Sequence, residues 1–315
     1  MTGGVVIFLA RERYGFVPWV ILFLILTWVS TLLFSRAIVV EDGSTDRGEP
    51  PRLHREVASY ATRMMYQETL FFSLPFYWYS TVLGSPNIVF SILLAGLAIF
   101  SCIDLLFDRW LRTRPWFGLV YFATVAFAAI NLLLPILLPI DPAIGTPLAA
   151  VVAVAGAIAL AVRGSLTGRS QAIRVSLFAV LFLACVVGFP WLIPPVPLRL
   201  RAAIFTSDID RATLATADRL GSSVKSGHLG GAMFVLVEVF APSSLPTSVS
   251  LEWKRDGKGF RTSHEIEIIA HEQGFRIWDG YRSDTGEMPP GEYQVFFRTA
   301  GNRVFGVAAI DVAAD

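Results

Sequence analysis

Long uncharged runs are the feature that most limits what this chain can fold into. Four runs contain at least 20 consecutive residues without Asp, Glu, Lys or Arg, at residues 16–35, 115–140, 142–162 and 175–198. A helix of about 20 apolar residues crosses the hydrocarbon core of a bilayer. These four runs therefore predict membrane-spanning helices, and the first is expected to be a retained anchor because its apolar core is too long for a cleaved signal peptide.

A fifth uncharged stretch, residues 69–103, is too long for a single span. As one helix its 35 residues would extend about 50 Å. Gly84-Ser85-Pro86-Asn87 in its middle has the composition of a turn, so we predict a hairpin with arms over residues 65–83 and 87–107. The result is a membrane α-helical bundle of about six spans. A rival arrangement has five spans and makes residues 70–83 a re-entrant or interfacial segment, which Pro75 favours.

Arginine is concentrated in alternate loops of this arrangement. The loops at residues 36–63, 108–114 and 163–174 carry five, three and three Arg, whereas the loops around residues 85–87 and at Asp141 carry none. Positively charged loops remain in the cytoplasm. Both the six-span and the five-span arrangement therefore predict a bacterial inner-membrane protein, embedded in the lipid bilayer, whose C-terminal region lies in the periplasm.

The composition changes near residue 198. Residues 1–198 contain 13 Arg, 10 Asp or Glu and no Lys, while residues 199–315 contain 13 Lys or Arg and 15 Asp or Glu. The second half thus has the charge content of a soluble domain. We predict a multi-pass transmembrane helical domain over 1–198 and an extracytoplasmic domain over 199–315. A net charge of +1 argues against a nucleic-acid partner.

Short β-branched and aromatic runs dominate the second half, at residues 233–240, 248–253, 265–270, 275–278, 293–299 and 304–312. Turns rich in Gly, Pro and Asn separate them. This spacing predicts an all-β, immunoglobulin-like antiparallel sandwich, with a hairpin around Gly301-Asn302. Residues 211–220 are predicted as a short helix before the sheets.

Two acidic residues are candidates for intramembrane chemistry, because an ionisable group at membrane depth is a functional hypothesis. Glu68 opens the first hairpin arm, and Asp104 lies near the end of the second. The alternative is that both cap helices or pair with Arg63, Arg109 or Arg112. Small residues over 142–162 predict close helix packing, inside the bundle or against a second copy of the chain.

Aromatic residues of the second half have two alternative roles, as a sandwich core or as a ligand-binding face, for instance for a glycan. They are Trp253, Phe275, Trp278, Tyr293 and Phe305. Arg276 and Arg282 flank Trp278 and are candidates for a cation–π stack or for binding an anionic envelope polymer. Their alternative is a salt bridge to one of three nearby acids, Glu265, Glu267 or Asp279.

Catalytic and metal-binding patterns are not found in the sequence. His264 and His271 are seven residues apart and would face opposite sides of one strand. Neither a Gly-x-Ser-x-Gly elbow nor a Gly-rich phosphate loop occurs. We therefore expect no cofactor, no metal site and no enzymatic activity.

Three motifs of the second half have a characteristic spacing of Trp, Gly and Arg: Trp253-x-x-x-Gly257, Gly274-Phe275-Arg276-x-Trp278 and Gly291-x-Tyr293-x-Val295. This spacing resembles that of the bacterial membrane proteins that carry domain of unknown function 2914. The segment 71–76 with Ser101-x-x-Asp104 resembles the multi-pass region in front of that domain. Leu251 and Tyr293 depart from the His and Trp that the family often has. The resemblance implies the architecture and no activity.

Three functions compete at this point. The first is a non-enzymatic inner-membrane protein that presents a periplasmic β-sandwich to an envelope protein or polymer. The second is a small transporter or channel component with an accessory outer domain. The third is a membrane-embedded enzyme acting on lipid, which would use Glu68, Asp104 and nearby Arg residues. We expect the first.

Overall fold

The computed structural model describes residues 52–138, 140–163, 169–241, 247–268 and 275–315. Six α-helices come first in this part of the chain: α1 (Arg52–Tyr79), α2 (Ile88–Ser101), α3 (Asp104–Thr113), α4 (Pro115–Leu137), α5 (Pro142–Arg163) and α6 (Arg169–Gly188). Short 3₁₀ helices follow at Pro190–Leu192 and Ser226–Leu229. The predicted span over 16–35 lies outside the described residues.

Three of these helices are long and apolar enough to cross a membrane, namely Trp116–Leu137, Pro142–Ala161 and Arg169–Gly188. At three of the predicted spans the expected helix of spanning length is therefore confirmed. The turn predicted at residues 84–87 is also confirmed, since α1 ends before it and α2 begins after it. The second arm is not one helix, because α2 ends at Ser101 and the chain bends by 103° into the next helix.

Two segments predicted as loops are helical instead. α1 begins at Arg52, so residues 52–63 of the predicted loop 36–63 are helical. Its apolar residues Leu53, Val57, Ala61 and Met64 recur every three or four positions, which is the helical period. α3 covers most of the predicted loop 108–114 and is strongly amphipathic, with Phe107 and Trp110 on one side and Asp108 and Arg109 on the other.

By its contacts the chain divides into two compact units. Unit 1 comprises Met1–Phe76, Ile92–Leu133 and Leu148–Ala184, and unit 2 comprises Tyr77–Ser91, Leu134–Pro147 and Cys185–Asp315. Unit 2 therefore contains the β-rich region together with two helix-terminal segments.

Unit 1 is held together by aromatic and small side chains. A chain of edge-to-face and tilted ring contacts joins α1, α2, α3 and α4, through Tyr66, Phe100, Phe107, Trp110, Phe117 and Tyr121. Ala157 and Ala161 of α5 pack in a buried cluster with Leu119 of α4 and Val175 of α6. The small-residue stripe thus packs inside the bundle, where small side chains allow helices to approach closely.

The described residues of the C-terminal region form nine strands: β1 (Arg199–Thr206), β2 (Ser223–Lys225), β3 (Ala232–Phe240), β4 (Ser248–Arg255), β5 (Lys258–Thr262), β6 (Ile266–Glu267), β7 (Phe275–Arg282), β8 (Gly291–Thr299) and β9 (Val304–Ala313). The smaller sheet has the order β1-β3-β7, and the larger has the order β2-β9-β8-β4-β5, with β6 also paired to β4. All these pairs are antiparallel except β2 with β9, which is parallel.

The two sheets share one hydrophobic core. Alternate residues of β8 are buried, including Tyr293, Val295 and Phe297, and Val235 and Val237 of β3 belong to the same cluster. The period of two is the signature of a strand with one face on the core. The predicted β-rich region with antiparallel pairing is therefore confirmed.

The prediction of a short helix at residues 211–220 is wrong. The segment is an irregular loop in which Ile209 and Thr216 form an isolated antiparallel bridge. Asp210 organises its turn, since its carboxylate accepts hydrogen bonds from the Ala212 N–H and the Thr213 hydroxyl at 2.9 and 2.7 Å. A short Asp side chain that binds its own backbone competes with helix formation.

Candidate functional site

The two intramembrane candidates lie on different helices of the bundle. Glu68 is half-buried on α1, and Asp104 is the first residue of α3. Arg63, which was an expected partner of both, forms an ion pair with Asp108 at 3.5 Å. The helix N-cap is Ile103, so Asp104 lies in the first turn of α3.

Trp253 is a core residue that also connects the two sheets. Its side chain is fully buried, and its indole Nε1 donates to Oδ2 of Asp279 at 2.9 Å. Arg261 Nη2 donates to the other carboxylate oxygen at 3.0 Å. The carboxylate of Asp279 on β7 therefore accepts hydrogen bonds from both β4 and β5 and connects the two sheets. Trp253, Asp279 and Arg261 are named here the clamp.

Trp278 lies on the face of the smaller sheet that points away from the core. It packs against Phe234, with ring centroids 6.1 Å apart, and the guanidinium of Arg211 stacks over it at 5.3 Å. The cation is therefore neither Arg276 nor Arg282, the two expected from the sequence. Arg276 pairs with Glu238 at 2.7 Å, an acid absent from the predicted set, and Arg282 is exposed at the end of β7.

Tyr293 is the predicted residue that reaches an open cavity. Its ring is buried, and its hydroxyl donates to the Pro289 carbonyl oxygen at 2.8 Å. Burial raises the pKa of this phenol, and the nearby Arg255 opposes that rise. The cavity beside it, named here the β4–β5 pocket, holds about 290 Å³ and is lined by Arg255, Asp256, Lys258, Phe260, Tyr281 and Tyr293.

Three rings form the apolar wall of the β4–β5 pocket. The Phe260 ring meets Tyr281 edge-to-face at 4.8 Å and Tyr293 at 6.1 Å. Phe260 is 42% exposed although it is a large aromatic residue. An exposed aromatic beside two cations is the combination that a small polar ligand with an apolar face can use.

A second arrangement in unit 2, named here the junction, connects the β8–β9 hairpin to the helix-terminal segments. Asn87 Nδ2 donates to the Val304 carbonyl oxygen at 2.9 Å. Arg303, only 2% exposed, donates from Nη1 to the Thr146 hydroxyl at 2.9 Å. Thr146 lies in the first turns of α5, so the hairpin is fixed to a helix end.

The charge of Arg303 persists at neutral pH. Burial lowers the pKa of its guanidinium to about 10, and the negative charge of Asp141 opposes that decrease. A buried cation is expensive unless it is paired and hydrogen-bonded. In the described part of unit 2 its Nη2 has no hydrogen-bond partner. The hydrogen bond to Thr146 and the negative charge of Asp141 therefore offset the cost of burying the guanidinium.

Sequence reasoning missed the junction and most of the β4–β5 pocket. Arg303 was counted only as one charge, and Thr146 only as a residue in an apolar run. Phe260 and Lys258 were missed because β5 is exposed along its length and shows no hydrophobic alternation. The available signal was Asp256-Gly257, a two-residue hairpin turn that places Arg255 opposite Lys258.

Metal binding finds no support among the residues that the structure describes, where no group of three His, Cys, Asp or Glu side chains is arranged to hold an ion. His271 lies outside them.

These features define a class: a chain with three helices of membrane-spanning length, followed by a two-sheet β-region fixed to a helix end. The model of a family of unknown function, DUF5924, matches residues 1–229, and the chain belongs to that family. The expected relation to domain of unknown function 2914 was wrong, because the matching family is a different one and its match ends before most of the motifs that suggested the resemblance. No curated protein matches the chain.

The matched region extends beyond the helices into the β-region. It includes β1 and β2, which belong to different sheets and pair with β3 and β9 outside the match. The strands with which β1 and β2 pair therefore lie outside the residues that the family model matches.

Proposed function

We propose that this chain is a non-enzymatic bacterial inner-membrane protein that presents its β-region at the periplasmic face, where the β-region binds an envelope protein or polymer. The junction is the observation that carries this proposal. The buried Arg303 and Asn87 attach the β-region to helix-terminal segments of its own unit. A fixed attachment suits a surface that presents edges and loops to a partner.

The distribution of charge supports the periplasmic side. Both junction segments, Tyr77–Ser91 and Leu134–Pro147, are free of Arg and Lys and belong to the same unit as the β-region. The Arg-bearing α3 belongs to unit 1. Its amphipathic character, with Trp110 and three Arg in residues 108–114, is typical of a cytoplasmic interface.

The finer architecture belongs to the same proposal. We place six spans in the chain, with residues 16–35, the apolar C-terminal half of α1 and the arm 87–107, which contains α2 and the start of α3, added to the three helices of spanning length. We also assign an immunoglobulin-like sandwich to the two sheets, supported by their shared core and by the β4–β8–β9 meander.

Labelling of single cysteines in intact cells tests the orientation. Cys102 and Cys185 are first replaced by Ser, and one cysteine is then introduced at Asp284 or at Thr113, both of which are exposed. A membrane-impermeant maleimide is expected to label Asp284→Cys in spheroplasts and to label Thr113→Cys only after permeabilisation. The reverse pattern would overturn the proposal.

Neutral substitutions test the non-enzymatic part. Glu68→Gln and Asp104→Asn remove the two intramembrane carboxylates with little change of shape. If the gene has a deletion phenotype, both variants are expected to complement it at normal protein levels. Loss of complementation by a folded, membrane-inserted variant would favour chemistry or transport in the membrane instead.

A further inference from the structure

The β4–β5 pocket contains a pair of like charges that the fold itself does not neutralise. Asp256 and Gly257 have φ angles of 50° and 77°, as in a type I′ hairpin turn, and Arg255 lies directly opposite Lys258. Like charges at directly opposed positions destabilise a strand pair. Within the described part of the chain, neither cation forms an ion pair, whereas the neighbouring Lys254 pairs with Glu252 at 3.7 Å.

The acid in the pocket is already engaged by the backbone. Oδ1 of Asp256 accepts a hydrogen bond from the Glu292 N–H at 2.9 Å. A Cβ at Gly291 would lie 2.8 Å from Oδ2, so this carboxylate is packed against the start of β8. Arg255, which also lies beside the Tyr293 hydroxyl, and Lys258 are therefore the cations that a ligand meets, and the three charged groups leave the pocket at +1.

The size and walls of the pocket suit one sugar ring. Its volume of about 290 Å³ is at the small end of the range for ligand pockets. The faces and edges of Phe260, Tyr281 and Tyr293 can pack against the C–H face of a pyranose. Two cations on one side would then bind a carboxylate on that ring through charge-assisted hydrogen bonds.

The position of the pocket favours a polymer over a lipid headgroup. On the β4–β8 ladder, Arg255 is opposite Tyr293 and Val249 is opposite Thr299. Thr299 adjoins the junction, since its hydroxyl accepts from the Arg303 N–H. Six residues of extended strand separate Tyr293 from Thr299, or about 20 Å. The pocket therefore opens at the end of the larger sheet far from the helix end that the junction fixes.

We propose that the β4–β5 pocket binds a uronate residue of an acidic envelope polysaccharide, with Arg255 and Lys258 on the carboxylate and Phe260 against the ring. This inference rests on the proposed function, because it requires the β-region to lie in the periplasm.

Calorimetric titration of the full chain in detergent, with a defined oligogalacturonate as probe, tests the proposal. We expect saturable binding that weakens with added salt. Removing one exposed charge contact in Lys258→Gln is expected to weaken affinity about two- to fivefold, and Phe260→Ala is expected to weaken it as well. Lys254→Gln is the matched control, because it removes the same charge from the other face of the hairpin, where Lys254 lies over Phe296 at 4.4 Å.

Three other probes separate the competing sources. A neutral malto-oligosaccharide, a polyglutamate peptide and vesicles rich in anionic lipid are each expected to bind more weakly than oligogalacturonate. Equal or stronger binding of any of them overturns the sugar assignment. So does no heat up to about 10 mM oligogalacturonate, or an equal effect of Lys254→Gln and Lys258→Gln. Cysteine labelling distinguishes the two failures: periplasmic labelling with no sugar binding overturns this inference alone.

Discussion

The indole nitrogen of Trp253 donates to the Asp279 carboxylate across the space between the two sheets, at 2.9 Å. Arg261 binds the second oxygen of the same carboxylate at 3.0 Å. One acid thus receives two donors from the larger sheet while it sits on the smaller one. Trp253 and Asp279 are buried, and Arg261 closes the clamp from a partly exposed position.

Asp279→Asn is expected to weaken this clamp. An amide presents one acceptor oxygen and one NH₂ group, so one of the two donors loses its partner. The free energy of unfolding should fall by about 1–3 kcal/mol, measured as the thermal unfolding of the full chain in detergent by tryptophan fluorescence. Arg276→Gln is the control, since its pair with Glu238 is exposed and should contribute about 0–1 kcal/mol. Equal losses in both variants would contradict the clamp.

Gly280→Ala is expected to disturb the outward face of the smaller sheet. A Cβ at this position would overlap the ring of Phe234, which packs on Trp278. Forcing an extra methyl group into a packed contact costs about 1–3 kcal/mol. The loss should appear in thermal unfolding together with a shift in tryptophan emission. Gly96→Ala on α2 is the matched control, since its Cβ would meet no atom within 4 Å; a similar loss there would refute the steric explanation.

A double-mutant cycle measures the junction. Thr146→Val removes the acceptor of the buried Arg303 guanidinium, which should cost about 1–3 kcal/mol because a buried charged donor is left unsatisfied. In an Arg303→Met background the same substitution should cost little, since no cation then needs the hydroxyl. The coupling between the two sites should therefore be about 1–2 kcal/mol. Strict additivity would show that the bond does not hold the hairpin.

Asp218 predicts how the β-region responds to acid. Burial alone would raise the pKa of this carboxyl, but hydrogen bonds from the Ser207 N–H, the Thr206 hydroxyl and His228 outweigh it, so the pKa falls below its ordinary value of 3.8. A carboxyl with a lowered folded-state pKa contributes stability above its unfolded pKa and loses that contribution as pH falls through the folded value.

The thermal unfolding temperature should therefore drop from about pH 4 downward, more steeply than in Asp218→Asn. The substitution removes the titrating carboxyl, so the unfolding temperature should depend less on pH below about pH 4 and should be lower near pH 7. Asp284→Asn, at an exposed position, should keep the wild-type acid response. If Asp218→Asn kept the wild-type decrease of unfolding temperature at low pH, Asp218 would be excluded as the cause of that decrease.

The helices of spanning length could be predicted from sequence because length and lack of charge suffice, whatever packs around them. The extension of α1 and residues 108–113 of α3 could not be predicted in this way, since both are charged and depend on helical period. The exposed β5 and the three-residue β2 lack a buried face of their own. Strands of that kind are defined by their neighbours, and neighbours distant in sequence are not visible in a single chain.

Among the candidate residues, those recognised by their own type could be predicted, and those defined by contacts across the fold could not. Trp253 and Tyr293 could be singled out as large aromatics in predicted strands. Their partners could not, because Asp279, Arg255 and Phe260 meet them across sheets or across a hairpin. The same holds for Arg303 and Thr146, which are separated by 157 positions.

The parallel pair of β2 and β9 sets a condition on how this protein is made. Ser223 aligns with Asp311 and Lys225 with Ala313, so β2 cannot complete its pairing until the chain has been synthesised as far as Ala313. Until then the larger sheet has an unpaired edge, and unpaired strand edges in nascent chains promote misassembly. A stop codon a few residues before Ala313 should thus send the whole product to quality-control proteases.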